Sequence, residues 1–554
     1  MTLCRRTLLV TVALAATVTA SAAVHDEAST RRWREDVEYL GRRMPLLHRD
    51  LFHHLPRPEF ERLLRRLEER IPELPDHEII VELARIAAKT GPRDGHTYLH
   101  LPGRDIGFHK LPINLYSYSD GIHVRAVARP HARLAGARVL SIGGTPAGEA
   151  LRRVLDITAG DNPFDQTSRA VKLLIIPEVL RALRIAGGEP AAPVEMALRL
   201  PGGAETSVTL QPVESLDGTD WAHAGDGASV PLYRRHAAAN PFDRHGARKN
   251  YWYEYFPDTR VLYVNYSAVA NSPEESVASF FSRLFAFADA NEVDKLVFDI
   301  RNNGGGNNYL NRPIFYGLMQ RAATLGRRGH LFAIIGRETY SAAQNFANLL
   351  DIHTNAILVG EPTGGSPNHF GDAVAIELPN SGLSIRVSTL WWQDADPRDR
   401  RLWIAPAIAA ELSAEDERSG RDPALEAILA WTPHPPLGDI LREAAPRGID
   451  AISVAFSAWR SDPRHKFLTG EGELNSLAAG LFGKDPALAL ALFELNAAVN
   501  PGSWLAHNSL ARAYAAAGRR DDAIREYERA LRIDPRSAPA LQGVERLRRD
   551  AAAP

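Results

Sequence analysis

Residues 295–310 read KLVFDIRNNGGGNNYL, residues 331–350 read LFAIIGRETYSAAQNFANLL, and residues 356–372 read AILVGEPTGGSPNHFGD. Each stretch opens on an apolar run of strand length and passes at once into a polar, Gly-rich or small-residue turn. That is the pattern of buried parallel strands whose ends carry functional groups. In α/β folds, chemistry gathers at those ends. The three stretches therefore predict an α/β core with its site at the turns.

In the middle stretch, Gly336 breaks the strand-like run Leu331 to Ile335. Ser341 then opens a segment in which Ala342, Ala343, Phe346, Ala347, Leu349 and Leu350 recur at helical spacing. A serine at such a junction has two readings. It can cap the helix, its hydroxyl satisfying a free backbone N–H. It can also be a nucleophile, with the helix N-terminus and the Ala342 N–H stabilising negative charge on a substrate carbonyl. The triplet Gly304 to Gly306 follows a buried strand and lets backbone N–H groups approach a ligand, so Gly304 or Gly305 is a candidate oxyanion donor. The loop 360–372 is rich in Gly, Pro, Asn and His after the strand Ala356 to Val359.

FDIRNNGGG, TYSAAQNFA, GEPTGG and, upstream, DGHT at residues 94–97 together resemble the tail-specific, or carboxyl-terminal-processing, serine peptidases and their tricorn-core and interphotoreceptor-retinoid-binding relatives. The resemblance spans Asp26 to Leu429. It implies an α/β fold with a crotonase-like peptidase core, an N-terminal helical cap and a PDZ-like β module, to which the residue pattern described below adds a C-terminal all-α repeat array. It implies Ser341 as nucleophile and an oxyanion hole from Gly304 or Gly305 with Ala342.

The chain departs from the tail-specific branch where it matters for mechanism. That branch carries a lysine base in a G-x-x-T-x-G-K pattern, and here the pattern ends in Ser366. The tricorn-like branch, which uses histidine, is the better match, and its histidine falls on His96. A neutral imidazole near its ordinary pKa of about 6.5 can take a serine proton at neutral pH. His369, beside the nucleophile loop, is a second candidate base or, with Ser366, a substrate-loop residue. The tricorn-like branch orients its histidine with a glutamate. The matching region holds Asp394, Asp396 and Asp399 instead, of which Asp399 is the choice, and Gly95 stands where that branch has a serine.

The chain begins MTLCRR and continues with a short apolar run to Ala20-Ser21-Ala22, the composition of a signal peptide over residues 1–22. Export, to the periplasm or beyond, is the expectation. Cys4 is the only cysteine, so cleavage leaves no thiol chemistry and no thiolate metal site. Apolar residues at three and four spacing, broken by Pro56, Pro58, Pro72 and Pro75, predict a helical cap over 26–100. Strand-like runs at Ile122 to Val127, Arg138 to Ile142, Val194 to Leu200 and Thr206 to Leu210 fit the PDZ-like module over 101–215, with an insertion around 156–186. The peptidase core spans 250–432, with strands expected at Ile376 to Val387 and Ser388 to Trp392. Ala489, Phe493 and Pro501 recur 34 residues later as Ala523, Tyr527 and Pro535, the period of a tetratricopeptide repeat, over 470–548.

With a net charge of −2 and no basic stripe, nucleic acid is not an expected partner, and no HExxH pattern calls for a metal. No cofactor is expected. The reading that follows is an exported serine endopeptidase acting on extended or unfolded polypeptide by a Ser-His mechanism, with a further protein partner at the helical repeats. Its rivals are a non-catalytic binding scaffold on a degenerate peptidase fold and an esterase for small acyl substrates.

Overall fold

The computed structural model describes residues 24–103, 106–235 and 249–552, so the leader expected over 1–22 lies outside the described residues. The centre is a six-stranded sheet in the order Ile408–Ala409, Ile357–Gly360, Leu331–Ile335, Lys295–Asp299, Val261–Tyr266, Tyr251–Phe256. Five strands are parallel, and Tyr251–Phe256 closes the edge antiparallel to its neighbour.

Alternation along these strands decides what each face meets. Leu296, Phe298, Leu331, Ala333 and Ile335 pack against the helices Val277–Ala290, Arg312–Gln320 and Ala342–His353. Val297, Phe332, Ile334, Ile357 and Val359 pack on the other face against the helix Pro423–Leu429. Both faces are dry, which is why the strands read as continuous apolar runs. Each fully buried Leu, Ile or Phe contributes about 1.5–3 kcal/mol of burial free energy.

The N-terminal helices Glu27–Leu47, Arg57–Arg70 and Asp76–Ala88 form as the periodicity predicts. Asp26 caps the first, accepting from the Ser29 N–H at 2.7 Å. These helices share one hydrophobic core with the antiparallel β module, whose main strands run in the order Ile113–Tyr118, Gly121–Ala128, Arg138–Ile142, Val194–Arg199, Glu205–Leu210. The insertion around 156–186 folds into the short helices Pro163–Ala170 and Pro177–Ala182. One expectation is corrected here. Ile376 to Val387 is not one strand but the two arms of a hairpin, Asn368–Glu377 and Ser384–Gln393. Its turn is held by buried Asp36, which accepts from the N–H groups of Asn380 and Ser381 at 2.8 and 2.9 Å.

The C-terminal helices start at Leu437, earlier than residue 470, and run in pairs to the helix Ala538–Ala552. Ala489, Ala523 and Tyr527 are buried at the repeated positions. The array meets the rest of the chain through the Lys466–Glu411 ion pair and through Phe467, whose ring lies edge-on to Phe164 at 5.9 Å. No helix among the described residues is long and apolar enough to cross a membrane.

Candidate active site

Ser341 stands between the strand Leu331–Ile335 and the helix Ala342–His353, with φ 54° and ψ −126°. A non-glycine residue in that region costs about 1–3 kcal/mol and persists only where its surroundings impose it. They do so here. The Tyr340 N–H donates to the Asn303 carbonyl at 3.1 Å, and Thr339 Oγ1 donates to the Ile300 carbonyl while accepting from the Gly336 N–H. Gly305, at φ 101°, presses on the turn from below: a Cβ there would fall 2.6 Å from Ser341 Cβ and 2.9 Å from the Ala342 nitrogen. The Ser341 hydroxyl makes no capping bond to the helix it precedes. It lies 3.2 Å from His96 Nε2 instead.

His96 comes from the segment between the helix Asp76–Ala88 and the strand Tyr98–Leu99. That segment is fixed by buried Asp94, which bonds His48 Nε2 at 2.8 Å, Thr97 Oγ1 at 2.9 Å and the Ser388 hydroxyl. The cap and the hairpin thus aim the imidazole at Ser341. The two residues are 245 positions apart in sequence.

The other ring nitrogen does not meet Asp399. Asp399 is engaged by Arg401 at 2.8 Å, and its backbone N–H is turned back on the Asp396 carbonyl, so the expected acidic partner is corrected. His96 Nδ1 lies 2.7 Å from Tyr340 Oη. Tyr340 Oη in turn donates to Asp161 Oδ1 at 3.3 Å. Asp161 is fully buried and accepts two backbone N–H groups, Gly95 at 2.7 Å and Ser366 at 3.1 Å. Beside it, Asp165 accepts the Asp161 N–H and pairs with Arg169, whose guanidinium lies over the Tyr340 ring at 4.7 Å.

Ser366, expected in a substrate loop, lies inside the fold. It is fully buried, with its hydroxyl donating to the Leu402 carbonyl at 2.7 Å and its N–H to Asp161. His369 is buried too. Its ring stacks on His96 at 5.8 Å, and Nδ1 bonds the Ser366 carbonyl at 3.0 Å, which assigns the proton to Nδ1. Of the three candidate oxyanion donors, Gly305 has its N–H committed to Asn303 Oδ1 at 2.9 Å. The N–H groups of Gly304 and Ala342 have no acceptor among the described residues.

Burial is the main cause that pushes the partly exposed His96 imidazole down to about 3, with His369 and Arg169 adding to it and Asp94 and the Phe370 carbonyl opposing. The ring is therefore neutral near pH 7. Burial pushes Asp161 up to about 6 against the lowering effect of the Gly95 and Ser366 N–H groups, and Asp165 likewise to about 6 against Arg169. A neutral imidazole facing a hydroxyl, with one free N–H at the helix start and another in the glycine loop, is an arrangement able to activate an oxygen nucleophile. Among the described residues, no group of three or more His, Cys, Asp or Glu side chains is placed to hold a metal ion.

Tyr340 and Asp161, which the structure places behind His96, do not stand out in the sequence. The signals were a bulky aromatic directly before the candidate nucleophile, where two small residues follow it, and an Asp-Asn-Pro turn in a segment that reads as an insertion.

Residues 504–537 match the tetratricopeptide-repeat model. No curated protein matches the chain. Among solved structures, mature CPAF complexed with lactacystin is 13% identical, over 73% of this chain and 97% of that one, with a TM-score of 0.50. A serine-to-alanine mutant of CPAF is 11% identical over 74% and 100%, with a TM-score of 0.51. The photosystem II D1 C-terminal processing protease is 14% identical over 73% and 97%, with a TM-score of 0.35. The chain shares its fold with CPAF across nearly the whole of that protein.

Proposed function

We propose that this protein is a serine peptidase that cleaves extended or unfolded polypeptides, exported to the periplasm or beyond by the leader at residues 1–22. The observation that carries the reading is the 3.2 Å approach of Ser341 Oγ to His96 Nε2 at a strained strand-to-helix turn. In this mechanism, Ser341 Oγ attacks the peptide carbonyl while His96 Nε2 takes its proton. The carbonyl oxygen, now negative, is held by the N–H groups of Ala342 and Gly304. His96 then gives the proton to the leaving amine, and water enters by the same path to release the acyl group. The four ordered motifs around these residues support the same class.

The test is turnover of a chemically unfolded protein by the mature chain, beside Ser341→Ala and His96→Ala. Both variants are expected to lose activity by at least 10³-fold. Activity surviving in Ser341→Ala rules the mechanism out. Absence of turnover in the wild type, with a peptide still bound, favours a binding scaffold.

A further inference from the structure

A histidine that is to accept a proton at Nε2 must carry its own proton on Nδ1, and something must hold it there. The expected acidic residue is absent from that position, yet Nδ1 is not left to water. Tyr340 Oη lies 2.7 Å from it and Asp161 lies behind the hydroxyl. The hydroxyl has one proton. An ionised Asp161 has none to give and accepts it, so Tyr340 Oη faces His96 as an acceptor, Nδ1–H donates to it, and the Nε2 lone pair is aimed at Ser341.

We propose that Tyr340 and Asp161 are positioning residues that fix the tautomer of His96, as a relay in which Nδ1–H donates to Tyr340 Oη and Tyr340 O–H donates to the Asp161 carboxylate. The proposal rests on the reading of Ser341 and His96 as nucleophile and base. Three independent features fit it. Asp161 is held in its buried place by backbone N–H groups from two separate segments, Gly95 and Ser366. Gly95 has no side chain because a Cβ there would fall 2.6 Å from Tyr340 Oη. Asn162, the next residue, gives its amide to the carbonyls of Thr363, Gly364 and Leu402, pinning the loop that carries Asp161.

The relay has a direction, and protonating Asp161 reverses it. Asp161 O–H would then donate to Tyr340 Oη, Tyr340 O–H to Nδ1, and the His96 proton would move to Nε2, facing Ser341 with no lone pair. Asp161, pushed up to about 6, therefore sets the acid limb. The other charged or titratable groups facing this cluster are Asp165 and Arg169 from the same helix, Asp94 from the His96 segment and His369 from the hairpin.

The test uses a fluorophosphonate probe, whose phosphorus Ser341 Oγ attacks as fluoride leaves and the hydroxyl proton passes to His96. The labelling rate of the full chain is measured from pH 4 to 9. Wild type is expected to lose rate below about pH 6. Tyr340→Phe, which keeps the ring and removes the hydroxyl, is expected to label at least 10-fold more slowly at pH 7.5 and to lose the limb near 6. Asp161→Asn is expected to slow labelling and remove the same limb. Uniform slowing with the limb unmoved, or a wild-type rate in Tyr340→Phe, overturns the relay. If Tyr340→Phe fails to fold, as judged by thermal unfolding, the limb in Asp161→Asn decides alone. Labelling of Ser341→Ala at the wild-type rate fails the underlying reading instead, a result distinct from either.

Discussion

Gly95 and Tyr340 occupy one space: a Cβ on Gly95 would stand 2.6 Å from Tyr340 Oη, and also 2.9 Å from the Asp161 nitrogen and from Asp165 Oδ2. Backbone atoms and a ring that is itself pinned over His96 cannot all give way. Gly95→Ser is therefore expected to displace the tyrosine, with about 1–3 kcal/mol of lost stability. A loss of Ser341 labelling of at least 10-fold should accompany it. Thermal unfolding and fluorophosphonate labelling check both, and wild-type values for the two together would show that the space is not shared.

The departure at Gly95 was visible in the sequence, but its cause was not. A glycine where a related branch has serine reads as a missing group. In three dimensions it is the clearance that lets an aromatic hydroxyl reach the imidazole. The strand ends, the turn at Ser341 and the segment that brings His96 to it were legible because each is announced by local residue pattern. Asp161 was not, because it reaches the site from the β module through a fold of the chain that no local pattern encodes. Asp399 failed for a related reason: a carboxylate two residues from Arg401 is satisfied locally and stays there.

Asp399→Asn is accordingly expected to change Ser341 labelling by less than twofold between pH 6 and 8. Its partner Arg401 retains Asp351 at 3.0 Å. A loss comparable to that of His96→Ala would restore Asp399 to the site.

Gly305 is a packing requirement of the turn that carries Ser341. Its φ of 101° is strained for any side chain, and a Cβ would press on Ser341 Cβ. Gly305→Ala is expected to cost about 1–3 kcal/mol in stability. Labelling should fall by at least 100-fold, because the turn that presents Oγ can no longer form. Gly304→Ala meets nothing within 4 Å and should fold normally, so the pair separates backbone presentation from general destabilisation.

The pH dependence of stability follows from opposed shifts. His96 has a folded pKa near 3, below its unfolded value of 6.5, so the folded state binds fewer protons there. Its contribution is present above pH 6.5 and is lost as pH falls toward 3. Asp161 and its neighbour Asp165 have folded pKa values near 6, above their unfolded 3.8, so their contributions run the other way and stability falls as pH rises through 4 to 6. Between pH 4 and 6 the histidine opposes the two carboxylates. Asp161→Asn removes one carboxylate and is expected to shift the pH slope of stability over that window in the positive direction relative to wild type, as read by denaturant melts at half-unit intervals. Parallel curves would mean that Asp161 does not titrate there.

The last prediction joins the helical array to the site. Phe164 opens the helix that begins two residues after Asp161 and carries Asp165 and Arg169. Its ring is covered edge-on by Trp403 at 5.1 Å and by Phe467 at 5.9 Å, the latter from the first part of the C-terminal array. An aromatic pair of this kind contributes about 0.5–1.5 kcal/mol beyond its area. Losing it should loosen the Asp161 loop before the central sheet, because the loop is otherwise held by a few hydrogen bonds and the sheet by two dry faces. Phe467→Ala is therefore expected to raise amide hydrogen exchange across residues 161–170 by about tenfold, equivalent to about 1.4 kcal/mol, with exchange in the strand Leu331–Ile335 unchanged. Labelling of Ser341 should fall a few-fold in step. Faster exchange confined to the array itself would mean that Phe467 packs on Phe164 without bearing on the loop, and that the helical repeats and Ser341 are energetically separate.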